Sequence, residues 1–251
     1  MTIAIMSAMP EENHCLVAAM AANPLCVTYG GRDYHVGKLW GHDVVIVFSR
    51  WGKVAAATSA TTLITKFNAK EIIFTGVAGG VQRNLKVGDI VIGQALCQHD
   101  MDARPLFPRH EIPLLGQTKF MVAPEKQEAL VAATERYLQG DFMTNITSEI
   151  REQFQITTPK VITGLIASGD KFFASQSDLD NLRADLPEAM CVEMEGAAVA
   201  QVCFEYNVPF SVVRTISDSA DESAPTDFPA FVTAIASQYA HGILHQLLSY
   251  Y

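Results

Sequence analysis

Residues Cys191–Ala200 read C-V-E-M-E-G-A-A-V-A: an apolar run, two carboxylates one residue apart, then a glycine and a row of small apolar side chains. No other stretch constrains the fold as tightly. The run ahead of Glu193 has the composition of a buried strand, and the small residues after Glu195 suit a closely packed helix. A strand that passes directly into a helix sets Glu193 and Glu195 at a junction where strand-end side chains and free helix N–H groups face one crevice. Further on, Val208–Ile216 is a second apolar run, and it ends in Ser217 and Asp218. Two strand exits that carry carboxylates point to a site built on one edge of a sheet.

The rest of the chain alternates in the same way. Thr2–Met6 reads as a buried strand, and Ser7–Glu12 turns into a helix. Pro10 suits the first helical position, and Glu11 and Glu12 suit the first turn on dipole grounds alone. Val27–Tyr29, Asp33–Leu39 and Val44–Phe48 read as strands joined at Gly30-Gly31 and Gly41-His42-Asp43. Trp51 sits in the turn before a small-residue helix, Val54–Lys66. Glu71–Phe74 is a strand that enters Thr75-Gly76-Val77-Ala78-Gly79-Gly80, read as a Gly-rich turn. That turn lacks the spacing of a nucleotide-phosphate cradle, although its glycines permit close backbone approach to a ligand. Asp89–Leu96 is a strand, Gln98–Phe120 a long loop with apolar tips, Pro124–Leu138 a helix and Gln139–Pro159 a polar, mixed connection with some helix of its own. Val161–Ala167 is a strand that exits into Ser168-Gly169-Asp170-Lys171-Phe172-Phe173. Helix Ser177–Asp185, strand Met190–Met194, helix Glu195–Tyr206, strand Pro209–Ile216 and a long amphipathic helix, Asp227–Leu248, complete the order. The expectation is an α/β fold: one domain over residues 1–251, three layers, a twisted mixed sheet with helices on both faces.

Charge and cysteine usage narrow the partners. A net charge of −9 argues against a nucleic-acid footprint and against an anionic membrane surface. Five cysteines, odd in number and without a C-x-x-C pair, read as free thiols in a reducing compartment. Met1–Met9 lacks a basic flank and reads as a first strand rather than a leader, and no apolar run is long enough to span a membrane. The expected compartment is the cytoplasm. His99-Asp100-Met101-Asp102 offers one imidazole and two carboxylates, a weak metal signature, and no metal or cofactor is expected. Asn145-Ile146-Thr147 is a chance sequon in a cytoplasmic chain.

No nucleophile elbow, Ser-His-Asp order or Cys-His context is present. What the exits supply is carboxylates, aromatics and close-approach glycines. Carboxylates suit a reaction that passes through a cation and needs both acid and base, as glycosidic cleavage does. Aromatic rings suit a flat leaving group.

At this point a resemblance enters. V-E-M-E-G-A-A-V-A at Val192–Ala200 and R-T-I-S-D-S-A-D at Arg214–Asp221 resemble the 5′-methylthioadenosine/S-adenosylhomocysteine nucleosidases of the nucleoside phosphorylase/hydrolase superfamily. A-I-M-S-A-M-P-E-E at Ala4–Glu12, T-G-V-A-G-G-V at Thr75–Val81, K-V-G-D-I-V at Lys86–Val91 and A-S-G-D-K-F-F at Ala167–Phe173 fit in the same order. The resemblance implies that Glu12 activates water and that Asp218, held by Ser217, protonates adenine N7. It implies that Glu195 and the Met194 backbone bind the ribose, with Glu193 supporting. Phe172 stacks on adenine, and the Phe173 main chain reads its edge. Val77 and Gly79 line the close-approach turn, while Met9, Trp51 and Phe228 line the ribose and 5′ side. The resemblance also implies a homodimer whose partner subunit completes the 5′ pocket, for which Ala103, Leu106, Phe107 and Pro113 are the candidates.

Four features depart from the family pattern: Val77 where many members have Ser, the bulk of Trp51, the longer Gln139–Pro159 connection, and Arg104 near the expected 5′ region. Hydrolysis of 6-amino-6-deoxyfutalosine uses the same residues and stays open beside the leading reading. A phosphorylase needs cationic residues around phosphate. A silent nucleoside-binding module binds adenosine without releasing adenine.

Overall fold

A computed structural model describes residues 1–21 and 24–250. Among them ten strands form one mixed sheet. They are β1 (Ile3–Ser7), β2 (Leu25–Tyr29), β3 (Arg32–Leu39), β4 (His42–Phe48), β5 (Glu71–Gly80), β6 (Ile90–Gln98), β7 (Phe120–Met121), β8 (Val161–Ser168), β9 (Ala189–Glu193) and β10 (Phe210–Asp218). The helices are α1 (His14–Ala19), α2 (Lys53–Phe67), α3 (Pro124–Gln139), α4 (Phe142–Asn145), α5 (Ser148–Gln153), α6 (Gln176–Asp185), α7 (Gly196–Tyr206), α8 (Ala224–Phe231) and α9 (Ser237–Leu248). A 3-10 turn, Pro10–Glu12, precedes α1, and Pro10 takes the first helical position as expected.

The period-2 alternation of each strand builds two cores at once. Ile3 and Ile5 of β1 pack on one face with Leu16, Leu130, Tyr137, Phe231, Tyr239 and Leu244 from α1, α3, α8 and α9. Ala4 and Met6 pack on the other with Ala56, Ala60 and Leu63 of α2 and Ala197–Ala200 of α7. Both faces being covered explains why β10, F-S-V-V-R-T-I-S-D, is buried along its whole length. A smaller cluster packs α6 through Leu179 and Leu182 against Ala167, Val192 and Phe173.

Five strands close on themselves. β5 pairs parallel with β10, β10 antiparallel with β6, β6 parallel with β8, β8 parallel with β9, and β9 returns antiparallel to β5 at Gly79↔Val192 and Gly80↔Cys191. Strands β1, β4, β3 and β2 extend from the first half of β5. The carboxyl ends of β1, β4, β5, β8 and β10 therefore lie on one edge, where Ser168 pairs Glu193 and Gly79 pairs Asp218.

Two expectations are corrected. Thr75–Gly80 is not a turn: β5 runs through to Gly80, bonded on one side to β10 and at its end to β9. The glycines serve close packing there, since a Cβ on Gly79 would stand 2.7 Å from Ala220 Cβ. The closing helix is not a single α-helix over Asp227–Leu248. It begins at Ala224, holds Pro229 inside α8, and passes through a π-helical turn, Val232–Ala236, before α9. Proline removes one N–H from the ladder, and a wider turn follows. The Gln139–Pro159 connection holds α4 and α5, whose Phe142 and Ile146, with Ile156 beyond, join the core beneath the sheet.

Candidate active site

Glu12 ends the 3-10 turn and is buried, with 2% of its surface exposed. Its Oε2 accepts from the Ala8 and Met9 N–H groups at 2.7 and 2.9 Å, and its Oε1 accepts from the Val77 N–H of β5 at 3.1 Å. Burial raises its pKa; the charge of Arg214 and the three N–H donors oppose that shift. Two carboxylate oxygens offer four acceptor positions, so three donors leave Oε1 room for one more partner. Gly76 is required beside it, because a Cβ there would stand 2.7 Å from Oε1.

Asp218 ends β10. Regular pairing would put residue 217 opposite Gly79, but a bulge after Ile216 gives that place to Asp218. Ser217 Oγ donates to Asp218 Oδ2 at 2.7 Å, and the Ala220 N–H donates to Oδ1 at 2.8 Å. Burial raises the Asp218 pKa against these two hydrogen bonds. A raised carboxyl that keeps its proton is the chemistry of a general acid.

Glu193 is occupied by the protein. It accepts from Ser168 Oγ, from the Glu195 and Gly196 N–H groups, and from Arg214 Nη2 at 2.7 Å and Nε at 3.2 Å. Arg214 is buried, lies over the Phe74 ring and directs Nη1 to the Phe74 and Val213 carbonyls. Its guanidinium is thus spent on Glu193, on carbonyls and on the field felt by Glu12.

Glu195 is the residue before α7 rather than its first helical residue. Its Oε1 accepts from the Gly52 N–H at 2.7 Å. Burial, then the charge of Glu193, raises its pKa. Next to Gly52, the Trp51 ring lies nearly parallel to Phe172, at 14° and 6.5 Å between centroids. Phe228 of α8 stands edge-on to both, at 5.8 and 5.5 Å.

These groups share one cavity that opens to solvent. Met9, Glu12, Trp51, Val77, Gly79, Phe172, Phe173, Glu193, Met194, Glu195, Asp218 and Phe228 all line it. Ser217 stands behind Asp218. Ala103, Leu106, Phe107 and Pro113 are not brought to it: they lie on the excursion after β6, where Leu106 is 83% exposed. Ala8, Lys171, Val192 and Ala220 line the cavity without having been singled out in the sequence. Of these, Lys171 had a signal, a cation beside paired aromatics. Arg214 had a stronger one: a charge inside an apolar strand needs a buried partner.

His99 is buried with Nε2 against Gly169, and its ring is edge-on to Phe173 at 5.3 Å. Asp100 and Asp102 bind Lys53 and Arg104 instead. Among the described residues no group of three or more His, Cys, Asp or Glu is arranged to hold a metal ion.

Comparison with known proteins agrees with the motif resemblance. The family model described as the phosphorylase superfamily matches residues 2–249. A 5′-methylthioadenosine/S-adenosylhomocysteine nucleosidase of Shewanella frigidimarina is 37% identical over 232 residues, 92% of each chain. One from a Marinomonas species is 35% identical over 247 residues, 98% of this chain and 97% of the other. A crystal structure of the Neisseria meningitidis nucleosidase in complex with methylthio-immucillin-A superposes with a TM-score of 0.87 at 33% identity, covering 100% of this chain and 99% of that one. The native structure of futalosine hydrolase from Helicobacter pylori superposes with a TM-score of 0.83 at 29% identity, covering 100% and 98%.

Proposed function

The chain belongs to the 5′-methylthioadenosine/S-adenosylhomocysteine nucleosidases of the phosphorylase superfamily, and from that premise we propose that it hydrolyses the N-glycosidic bond of those two nucleosides to adenine and the 5-thioribose product. One observation carries the reading: Glu12 and Asp218, from opposite ends of the chain, line one cavity as buried, raised carboxyls held by different donors. Asp218 gives its proton to adenine N7 as the bond from C1′ to N9 breaks. Glu12 takes a proton from water as the water oxygen bonds to C1′. The sugar carries positive charge in between, and the ionised Glu12 stabilises it.

Glu195, anchored on Gly52, accepts from the ribose hydroxyls with its free oxygen, and the Met194 backbone helps. Phe172 stacks on adenine, and the Phe173 main chain reads its edge. Met9, Trp51 and Phe228 wall the 5′ side. Glu193 acts indirectly, holding Arg214 and the start of α7. Val77 carries no hydroxyl for Asp218, but its N–H serves Glu12.

Water rather than phosphate as the nucleophile is supported by the lining: its one cation among the described residues is Lys171, and Arg214 is committed elsewhere. The exposed Leu106 and the half-buried Ala103, Phe107 and Pro113 support a homodimer in which they complete the partner's 5′ pocket. Five cysteines without a disulfide fit the cytoplasm. Among the described residues no helix is long and apolar enough to cross a membrane.

The futalosine hydrolase likeness, together with the aromatic 5′ wall at Trp51, supports 6-amino-6-deoxyfutalosine as a second substrate reading. A phosphate-free adenine-release assay across methylthioadenosine, S-adenosylhomocysteine, 5′-deoxyadenosine and aminofutalosine tests both. Release from the first two without phosphate is expected; a strict phosphate requirement overturns hydrolysis.

A further inference from the structure

The turn that carries Trp51 and the loop that carries Phe172 come from distant parts of the chain, and they are fastened at one point. Asp100 follows β6. Its Oδ1 accepts from Lys53 Nζ at 2.6 Å, and its Oδ2 accepts from the Asp170 N–H at 2.9 Å. Asp170 returns the link: its Oδ1 accepts from the Lys53 N–H at 2.8 Å, and its Oδ2 lies 4.0 Å from Lys53 Nζ. Lys53 Nζ also donates to Gln98 Oε1 at 3.1 Å. A Cβ on Gly52 would stand 3.0 Å from Asp170 Oδ1, and Gly52 has φ of +94°, so glycine is needed for the two segments to meet.

None of Asp100, Lys53 and Asp170 lines the cavity, yet each of the joined segments supplies its wall. Trp51 and Gly52 precede Lys53, and Lys171 and Phe172 follow Asp170. The Lys53 side chain is 16% exposed and that of Asp100 is 31%, so this is not a freely solvated pair with a wandering geometry. Asp100 is bidentate, with one oxygen for each segment, so removing it breaks two of the three hydrogen bonds among these residues and leaves the Lys53 N–H on Asp170 Oδ1 as the remaining direct link.

We propose that Asp100, Lys53 and Asp170 form a positioning clamp that holds the Trp51 and Phe172 rings in register and thereby sets the affinity of this site for its nucleoside, whose base lies on Phe172 and whose 5′ side faces Trp51. The inference rests on reading the cavity as a purine nucleoside site. Rings already ordered in the free protein lower the cost of binding without adding a contact. The clamp touches no reacting atom, so its loss weakens binding more than turnover.

The test compares Asp100→Ala, Lys53→Met, Trp51→Ala and the Asp100→Ala/Trp51→Ala double variant. Each is measured for kcat and KM in phosphate-free adenine release, for the Kd of adenine by calorimetry, and for Tm as a check of folding. Asp100→Ala and Lys53→Met are expected to raise KM and the adenine Kd on the order of 10-fold while kcat changes less than about 3-fold. In the Trp51→Ala background the Asp100 change is expected to add little, because the two act through one wall. An unchanged KM and Kd in folded Asp100→Ala, a loss confined to kcat, or additive effects in the double variant would each overturn the clamp. If Asp100→Ala does not fold, Lys53→Met alone and combined with Trp51→Ala carries the same comparison. A wild-type chain that binds adenine but releases none from any nucleoside overturns the proposed activity instead, and the adenine Kd series still judges the clamp.

Discussion

Glu193 Oε2 lies 2.7 Å from Arg214 Nη2, and the two side chains are 3% and 2% exposed. Neither charge is solvated, so each depends on the other. Ser168 Oγ and the Glu195 and Gly196 N–H groups complete the shell of Glu193. Removing one partner of such a pair costs about 3–5 kcal/mol, because the other charge is left buried and unpaired. Glu193→Gln is therefore expected to lower the unfolding free energy by that amount, read as a lower urea midpoint at constant m-value, and to impair turnover through the displaced Arg214 charge beside Glu12. A loss below about 1 kcal/mol would show that the pair is not an isolated buried unit.

Glu12→Gln is expected to abolish turnover while a stable adenosine analogue still binds. The amide oxygen can keep the two donors at Ala8 and Met9, but the amide NH₂ then faces the Val77 N–H, so a stability loss of about 1–3 kcal/mol accompanies it. Normal turnover in this variant removes the water-activating role.

Asp218→Asn is expected to cut kcat by a factor on the order of 10² or more. The pH profile carries the sign. Burial raises the Asp218 pKa, so the acid stays protonated above the ordinary 3.8, and activity falls as pH rises through the raised value. That limb should vanish in the residual activity of the variant. An unchanged alkaline limb assigns it to another group.

Glu195→Gln tests linkage. Burial and the Glu193 charge raise the Glu195 pKa, so the folded state binds more protons than the unfolded state between the ordinary 4.5 and the raised value. The stabilising contribution is full below the ordinary value and is lost as pH rises through the raised one. Glutamine keeps the Gly52 contact and has no proton to lose. The Tm difference, variant minus wild type and without ligand, should grow as pH rises across that window. A difference that is flat or shrinks contradicts the raised pKa.

Much of this was readable before any coordinates. The alternation of Ile3, Ala4, Ile5 and Met6 announces a two-faced strand, and the exits at Glu193 and Asp218 announce a common edge. The helix starts at Pro10 and after Glu195 follow from local chemistry. Other features were not local. Thr75–Gly80 looks like a turn because glycine favours turns; only its neighbours β9 and β10 make it a strand. The bulge that aims Asp218 is a property of pairing with Gly79, absent from either segment alone. The Asp100 clamp joins residues 53, 100 and 170, and no spacing rule links them. The π-helical turn depends on how α8 and α9 settle on the sheet around Pro229.

One consequence follows from the pairing of β5. The Val77 N–H donates to Glu12 and Gly79 pairs with Asp218, so both carboxyls proposed for catalysis are referenced to the same strand, two residues apart. Along a strand that interval is about 6.6 Å. The strand therefore works as a ruler marked in whole residues. A change in the gap between Glu12 and Asp218 by insertion in β5 comes only in steps of a full residue, and a single-residue step flips every side chain beyond it to the other face. Finer adjustment is left to the elements that carry the two carboxyls, the 3-10 turn of Glu12 and the bulge ahead of Asp218.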